Sequence, residues 1–112
     1  MIKDPAIFLA HILESIEKIE NYLAEISEEE FMSDYEKQDA VVRRLEVIGE
    51  AVKNLPDATK IQFTEIEWNK IIAMRNLLIH EYFGVDMKLV WNVMKKRLPE
   101  LKEVIKNNMI EK

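Results

Sequence analysis

Arg75, Asn76, His80 and Tyr82 fall within one eight-residue run, Arg75-Asn76-Leu77-Leu78-Ile79-His80-Glu81-Tyr82. On a helix that turns about 100° per residue, Arg75 and Tyr82 are almost eclipsed, and Asn76 and His80 share the neighbouring stripe. Histidine ordinarily titrates near neutral pH, so His80 can take up or return a proton. Arg75 offers a fixed fork of N–H donors for oxygens that carry negative charge. Asn76, one turn before His80, is placed to orient it. Proton transfer beside a stabilised anion is the chemistry such a group could perform. The same residues also allow a plainer use: an Arg75–Glu ion pair, a hydrogen-bonded core His80, and Tyr82 as an amphipathic plug. In either case, polar groups this close to an apolar face need partners in the core or across an interface.

The segment must be carried near the end of a helix, and the rest of the chain reads as helices too. Asp4 is a good N-cap and Pro5 a good first helical residue. From there Leu9, Ile12, Ile16, Ile19, Leu23 and Ile26 form one seam, predicting a helix from about Pro5 to Ile26. Ser27–Glu30 and Ser33–Glu36 each have an acid three residues after a hydroxyl, the capping-box pattern. The first predicts a short helical turn. The second opens a helix to about Asn54, with Val41, Leu45, Ile48, Val52 and Leu55 as its seam and Pro56 helping to stop it. Gly49, mid-helix, costs about 1 kcal/mol relative to Ala, which suggests close approach of a neighbouring helix. Residues 56–63 read as a connector. Thr64–Glu67 is a third capping box, opening a helix with Trp68, Ile71, Ile72, Met74, Leu78 and Ile79, closed by Gly84. Asp86 caps the last helix, whose seam Met87, Trp91, Met94, Leu98, Leu101 and Ile105 runs straight through Pro99. The expectation is all-α: residues 1–112 as a single domain, an up-and-down four-helix bundle with short extra helical turns and a kinked C-terminal helix.

Composition agrees. The chain is 48% hydrophobic and 33% charged with only two Gly and three Pro, a balance that suits a bundle rather than disorder or a β-sandwich. Without Cys there are no disulfides and no thiolate metal sites. The start, Met1 to Pro5, contains an acid where a signal peptide wants positive charge, and the uncharged stretch Pro5 to Leu13 is too short for a membrane span. A cytoplasmic protein is expected, with no membrane partner. Residues 1–36 carry a net charge of −8 and residues 37–112 a net of +3. Acidity disfavours general nucleic-acid binding, but the basic two-thirds could engage RNA locally. Lys95, Lys96, Arg97, Lys102 and Lys106 make a basic stripe on the last helix, a solvated face by default or a contact for RNA or a partner. Glu46 and Glu50, one turn apart, could chelate a cation, although Arg43 and Lys53 stand close enough to pair with them. No metal or cofactor is expected. His11, on the first helix with no polar cluster beside it, reads as structural or surface.

Arg, four residues, His, one residue, Tyr resembles the signature of the HEPN superfamily. The flanking features sharpen the resemblance to its HepT branch: Ile48-Gly49-Glu50-Ala51, Trp68 seven before Arg75, Met74-Arg75-Asn76, Val85-Asp86, Val90-Trp91 and Leu98-Pro99, in that order over about residues 4–105. That branch comprises small helical toxins paired with a minimal nucleotidyltransferase antitoxin, MntA. The resemblance implies a metal-independent endoribonuclease acting as a homodimer, with Arg75 and His80 catalytic and Asn76 supporting. It also implies that Tyr82 is where the antitoxin attaches AMP, silencing the toxin. RNA brings its own nucleophile, the 2′-OH, so the protein need supply only a base, a charge stabiliser and an acid. One histidine cannot conveniently be both base and acid, and a twofold dimer would supply the second. A different use also fits: a non-catalytic subunit that presents nucleotide or substrate to a nucleotidyltransferase. A dimeric scaffold without nucleotide contact is the blandest. The intact Arg75, His80 and Tyr82 favour catalysis.

Overall fold

The computed structural model describes residues 5–63, 66–80 and 86–110. Its elements are α1 (Pro5–Leu23), α2 (Glu28–Ser33), α3 (Tyr35–Asn54), α4 (Asp57–Gln62), α5 (Trp68–His80), α6 (Met87–Asn92), a π-helical turn (Val93–Arg97) and α7 (Leu98–Ile110). The all-α expectation holds: four long rods, α1, α3, α5 and the continuous α6–π–α7, with α2 and α4 as the short extra pieces. Helix α3 lies in the middle, packed along α1 on one side and α5 on the other, and α7 closes onto α1.

The predicted seams are the core. Leu9, Ile12, Ile16, Ile19 and Leu23 from α1 bury against Val41, Leu45, Ile48 and Val52 from α3, with Met94, Leu98, Leu101 and Ile105 completing the layer. Phe31 of α2 is fully enclosed and packs its ring 5.4 Å from that of Trp91. Gln38 is buried in α3, and its Nε2 donates to the carbonyls of Phe31 and Met32 at 2.9 and 3.0 Å. These bonds satisfy the orphan acceptors at the end of α2 and fix the corner into α3.

Several boundaries differ from the sequence reading. Helix α1 stops at Leu23 rather than Ile26, because the Leu23 carbonyl is taken by the Ile26 N–H in a tight turn (3.3 Å). The Ser27 box forms in both directions: Ser27 Oγ accepts from Glu30 N–H at 3.1 Å, and Glu30 Oε1 accepts from Ser27 N–H at 3.3 Å. The second box does not form. Ser33 ends α2, donating its hydroxyl to the Glu30 carbonyl, and the adjacent Asp34 caps α3 by accepting from Lys37 N–H at 3.1 Å. A carboxylate is the stronger acceptor for that N–H. The connector holds a helix of its own, α4, and α5 opens only at Trp68, with the Glu67 carbonyl accepting from Lys70 and Ile71. Thr64 of the third box and Gly84 lie outside the described residues. Asp86 caps α6 as expected, accepting from Lys88 N–H at 2.9 Å.

The last helix continues through Pro99, but by widening. Leu98 N–H reaches back five residues to the Val93 carbonyl. The π turn just ahead of the proline loosens the turn that its ring would otherwise crowd. It also takes up one extra residue, so upstream of it the buried position is Val90, and Trp91 is only half-buried. Among the described residues, no helix is long and apolar enough to cross a membrane.

Candidate active site

Arg75 sits where α5 crosses α3, and Gly49 makes that crossing possible. A β-carbon on Gly49 would lie 2.2 Å from Arg75 Cβ and 2.6 Å from its Cγ, far inside van der Waals contact. Gly49 has no positive φ, so the glycine is required by space rather than by backbone conformation. The close approach expected at this glycine is therefore real, and the approaching group is the Arg75 side chain itself. Trp68, two turns earlier on α5, sets the helix's rotation: its Nε1 donates to the Lys60 carbonyl at 3.0 Å, and its ring meets Phe63 edge-on at 6.2 Å.

The guanidinium is then held at two points. Arg75 Nη2 donates to Glu50 Oε2 at 2.7 Å, and Nη1 donates to Asn76 Oδ1 at 2.9 Å. Only 19% of the Arg75 side chain is exposed, against 53% for Glu50. Arg75 Nε is buried and has no acceptor among the described residues. A buried donor left without a partner costs about 1–3 kcal/mol; closed off from solvent, Nε leaves the outward N–H groups of Nη1 and Nη2 as the ones an anion could meet. The arrangement is a cation fixed through both terminal nitrogens, each with a further N–H to give.

The plain reading of Arg75 as one half of an Arg–Glu ion pair is thus present in the structure, and the acid is Glu50. That pairing also redirects Glu50. It is engaged across the helix interface rather than with Glu46 around a cation or with Lys53 in a solvated pair. Asn76 bonds to Arg75, its chain neighbour, and is exposed. Ile72, Asn76 and His80 recur every four residues on α5, so the backbone places His80 on the Asn76 stripe. The His80 side chain and the whole of Tyr82 lie outside the described residues. Among those residues, no three His, Cys, Asp or Glu side chains group as a metal site.

His11 is exposed, as a surface reading expects, and its surroundings come mostly from other helices. It lines the same cleft as Arg75, Arg43, Glu50 and Asn54, a space of about 380 Å³. The polar cluster comes from α3 and α5. A reading confined to one helix could not see it. The basic stripe is partly committed: Lys102 Nζ donates to Glu20 at 2.7 Å, Arg97 pairs with Glu67 at 3.8 Å, and Lys95 lies over the Trp91 ring at 4.8 Å. The bond from Glu20 holds the Lys102 ammonium above the usual lysine pKa.

Comparison with known proteins covers most of the chain. The family model described as "HepT-like: Ribonuclease HepT-like" matches residues 12–107. A Methanocaldococcus jannaschii protein named "Gamma-glutamylcyclotransferase and putative RNase" is 50% identical over 99% of this chain; the chain spans only half of that relative's length. "Probable ribonuclease HepT" of Thermococcus cleftensis is 46% identical, over 85% of this chain and 86% of its own. A "Putative RNase" of Caldanaerobacter subterraneus subsp. tengcongensis is 42% identical over 94% of both chains. No solved structure matches.

Proposed function

The chain belongs to the HepT-like ribonuclease family, and on that premise we propose that it is a metal-independent endoribonuclease, the toxic component of a toxin–antitoxin pair. The observation that supports this most is the Arg75 guanidinium, pinned by Glu50 and Asn76, with a second N–H on each of Nη1 and Nη2 left for an anion. In the reaction, the ribose 2′-oxygen bonds to the adjacent phosphorus as the bond to the 5′-oxygen breaks. A base takes the 2′-hydroxyl proton, an acid returns one to the leaving oxygen, and a cyclic phosphate results. Arg75 stabilises the charge that gathers on the phosphorane oxygens, and fixed donors cost no reorganisation at that moment. His80 carries the proton.

A twofold dimer is part of the proposal, since it brings a second His80 to serve as the opposite proton carrier. It is supported by Ile72, which remains only half-buried on the stripe that carries Asn76 and His80. The partner is a nucleotidyltransferase of the MntA type, and the whole operates in the cytoplasm as one helical domain. That enzyme joins the Tyr82 phenolic oxygen to the α-phosphorus of ATP, releasing pyrophosphate. The attached AMP places a phosphate and a base beside Arg75, where they occupy the RNA site. The direct test is cleavage of RNA by the purified chain in the presence of chelator, with Arg75→Ala and His80→Ala as controls. Wild-type activity that both variants lose supports the proposal. An inactive wild-type chain that binds nucleotide would favour the non-catalytic subunit instead.

A further inference from the structure

The cleft that holds His11 has features that the Arg75 site alone does not use. On α3, Arg43, Glu46, Glu50 and Asn54 recur every three or four residues and so form one face; on α1, Phe8 and His11 are three apart and face it across the cleft. The two basic groups that line the cleft stand in different states. Arg75 is anchored by Glu50, whereas Arg43 is exposed and makes no ion pair among the described residues. Six residues separate Arg43 from the Arg75 crossing at Gly49, about 9 Å along the axis of α3. Two long side chains at that spacing can each hold one of two successive phosphates. Elsewhere in the cleft the wall changes character. Phe8 is half-buried and presents a ring. Asn54 spends its Nδ2 on the Glu50 carbonyl at 2.9 Å, leaving its Oδ1 to accept from a base N–H. Glu46 also accepts only, which suits a ribose hydroxyl or an exocyclic amine and excludes a phosphate from the middle of the cleft.

We infer that this cleft is an RNA subsite for the nucleotide next to the scissile phosphate, with Arg43 on the neighbouring phosphate, Phe8 against the base and His11 at the rim as a hydrogen-bonding group. This rests on the nuclease reading of Arg75. An overall net charge of −5 makes such local cations necessary, because the protein as a whole repels a polyanion. An aromatic face in the same groove as phosphate contacts is how sequence-tolerant single-strand binding is ordinarily built.

The test uses the full chain and a 2′-O-methyl RNA hexanucleotide, which lacks the attacking hydroxyl and so reports binding alone. Arg43→Ala should weaken its Kd by about five- to tenfold, with Arg43→Lys restoring most of the affinity. On cleavable RNA, Arg43→Ala and His11→Ala should raise KM with kcat within about twofold, the pattern of a binding contact. Unchanged hexanucleotide affinity in Arg43→Ala, with helical content intact by circular dichroism, overturns the subsite. So does a His11→Ala variant that loses kcat at constant KM and drops one limb of the pH–rate profile, since His11 would then be a proton carrier. If the wild type fails to cleave but binds the hexanucleotide through Arg43, the subsite stands and the nuclease reading falls.

Discussion

Arg75 lies across Gly49 so closely that a methyl group at position 49 would overlap its β-carbon, at 2.2 Å. Two requirements therefore meet at one residue. Helix α3 would be about 1 kcal/mol more stable with alanine there, and the cation would then have nowhere to lie.

Gly49→Ala should consequently lose activity without losing helix. Overpacking costs about 1–3 kcal/mol, enough to lower the melting temperature by several degrees, and a misplacement of the guanidinium by about 1 Å should cost up to about 100-fold in cleavage. A Gly49→Ala protein that is fully active and more stable would show that Arg75 is positioned by something else.

Glu50 acts through Arg75. Glu50→Gln keeps a hydrogen-bond acceptor 2.7 Å from Nη2 and should retain most activity, whereas Glu50→Ala frees the guanidinium and should lower kcat about tenfold with a smaller change in KM. Equal effects of the two substitutions on steady-state RNA cleavage would contradict a positioning role.

His80→Ala and Arg75→Ala should each abolish RNA cleavage and growth inhibition with helical content unchanged. Loss of general acid–base catalysis is worth about 10²–10⁴-fold in rate. EDTA should have no effect. Activity that vanishes with chelator, or survives without His80, removes the mechanism.

Multi-angle light scattering at micromolar concentration should report a dimer. A monomer would remove the two-His80 mechanism and turn attention to His11, which already shares a cleft with Arg75.

Incubation with the cognate nucleotidyltransferase and ATP should add AMP to Tyr82, about 329 Da per unit by its formula, and suppress cleavage. Tyr82→Phe should escape. An adduct mapped to Tyr22 or Tyr35 would defeat this regulation while leaving the nuclease untouched.

The helices were legible because burial on a helix imposes a period, and the seams of α1, α3 and the last helix are among its cleanest expressions. Arg75 was legible as chemically loaded, and Gly49 as a point of close approach. What joined them was not, since which of many glutamates pairs with Arg75, or that His11 meets it from α1, depends on how separate helices cross. The Ser33 box failed for a local reason: Asp34, one residue on, is a better cap. Trp91 was placed one residue off because a uniform 3.6-residue period cannot register a single wide turn.

That wide turn makes the last helix a place where chain length is negotiable. A π turn is an α-helix holding one surplus residue, so deleting one of residues 93–97 should close it into ordinary α-helix instead of breaking it. Because the surplus residue is taken up within the turn, α6 should keep its rotation after the deletion, with Val90 still in the core and Trp91 still against Phe31. Related chains shorter by one residue at this point should accordingly still bury the position equivalent to Val90, so that an aligned gap here marks a wide turn closed to α-helix and not a lost loop.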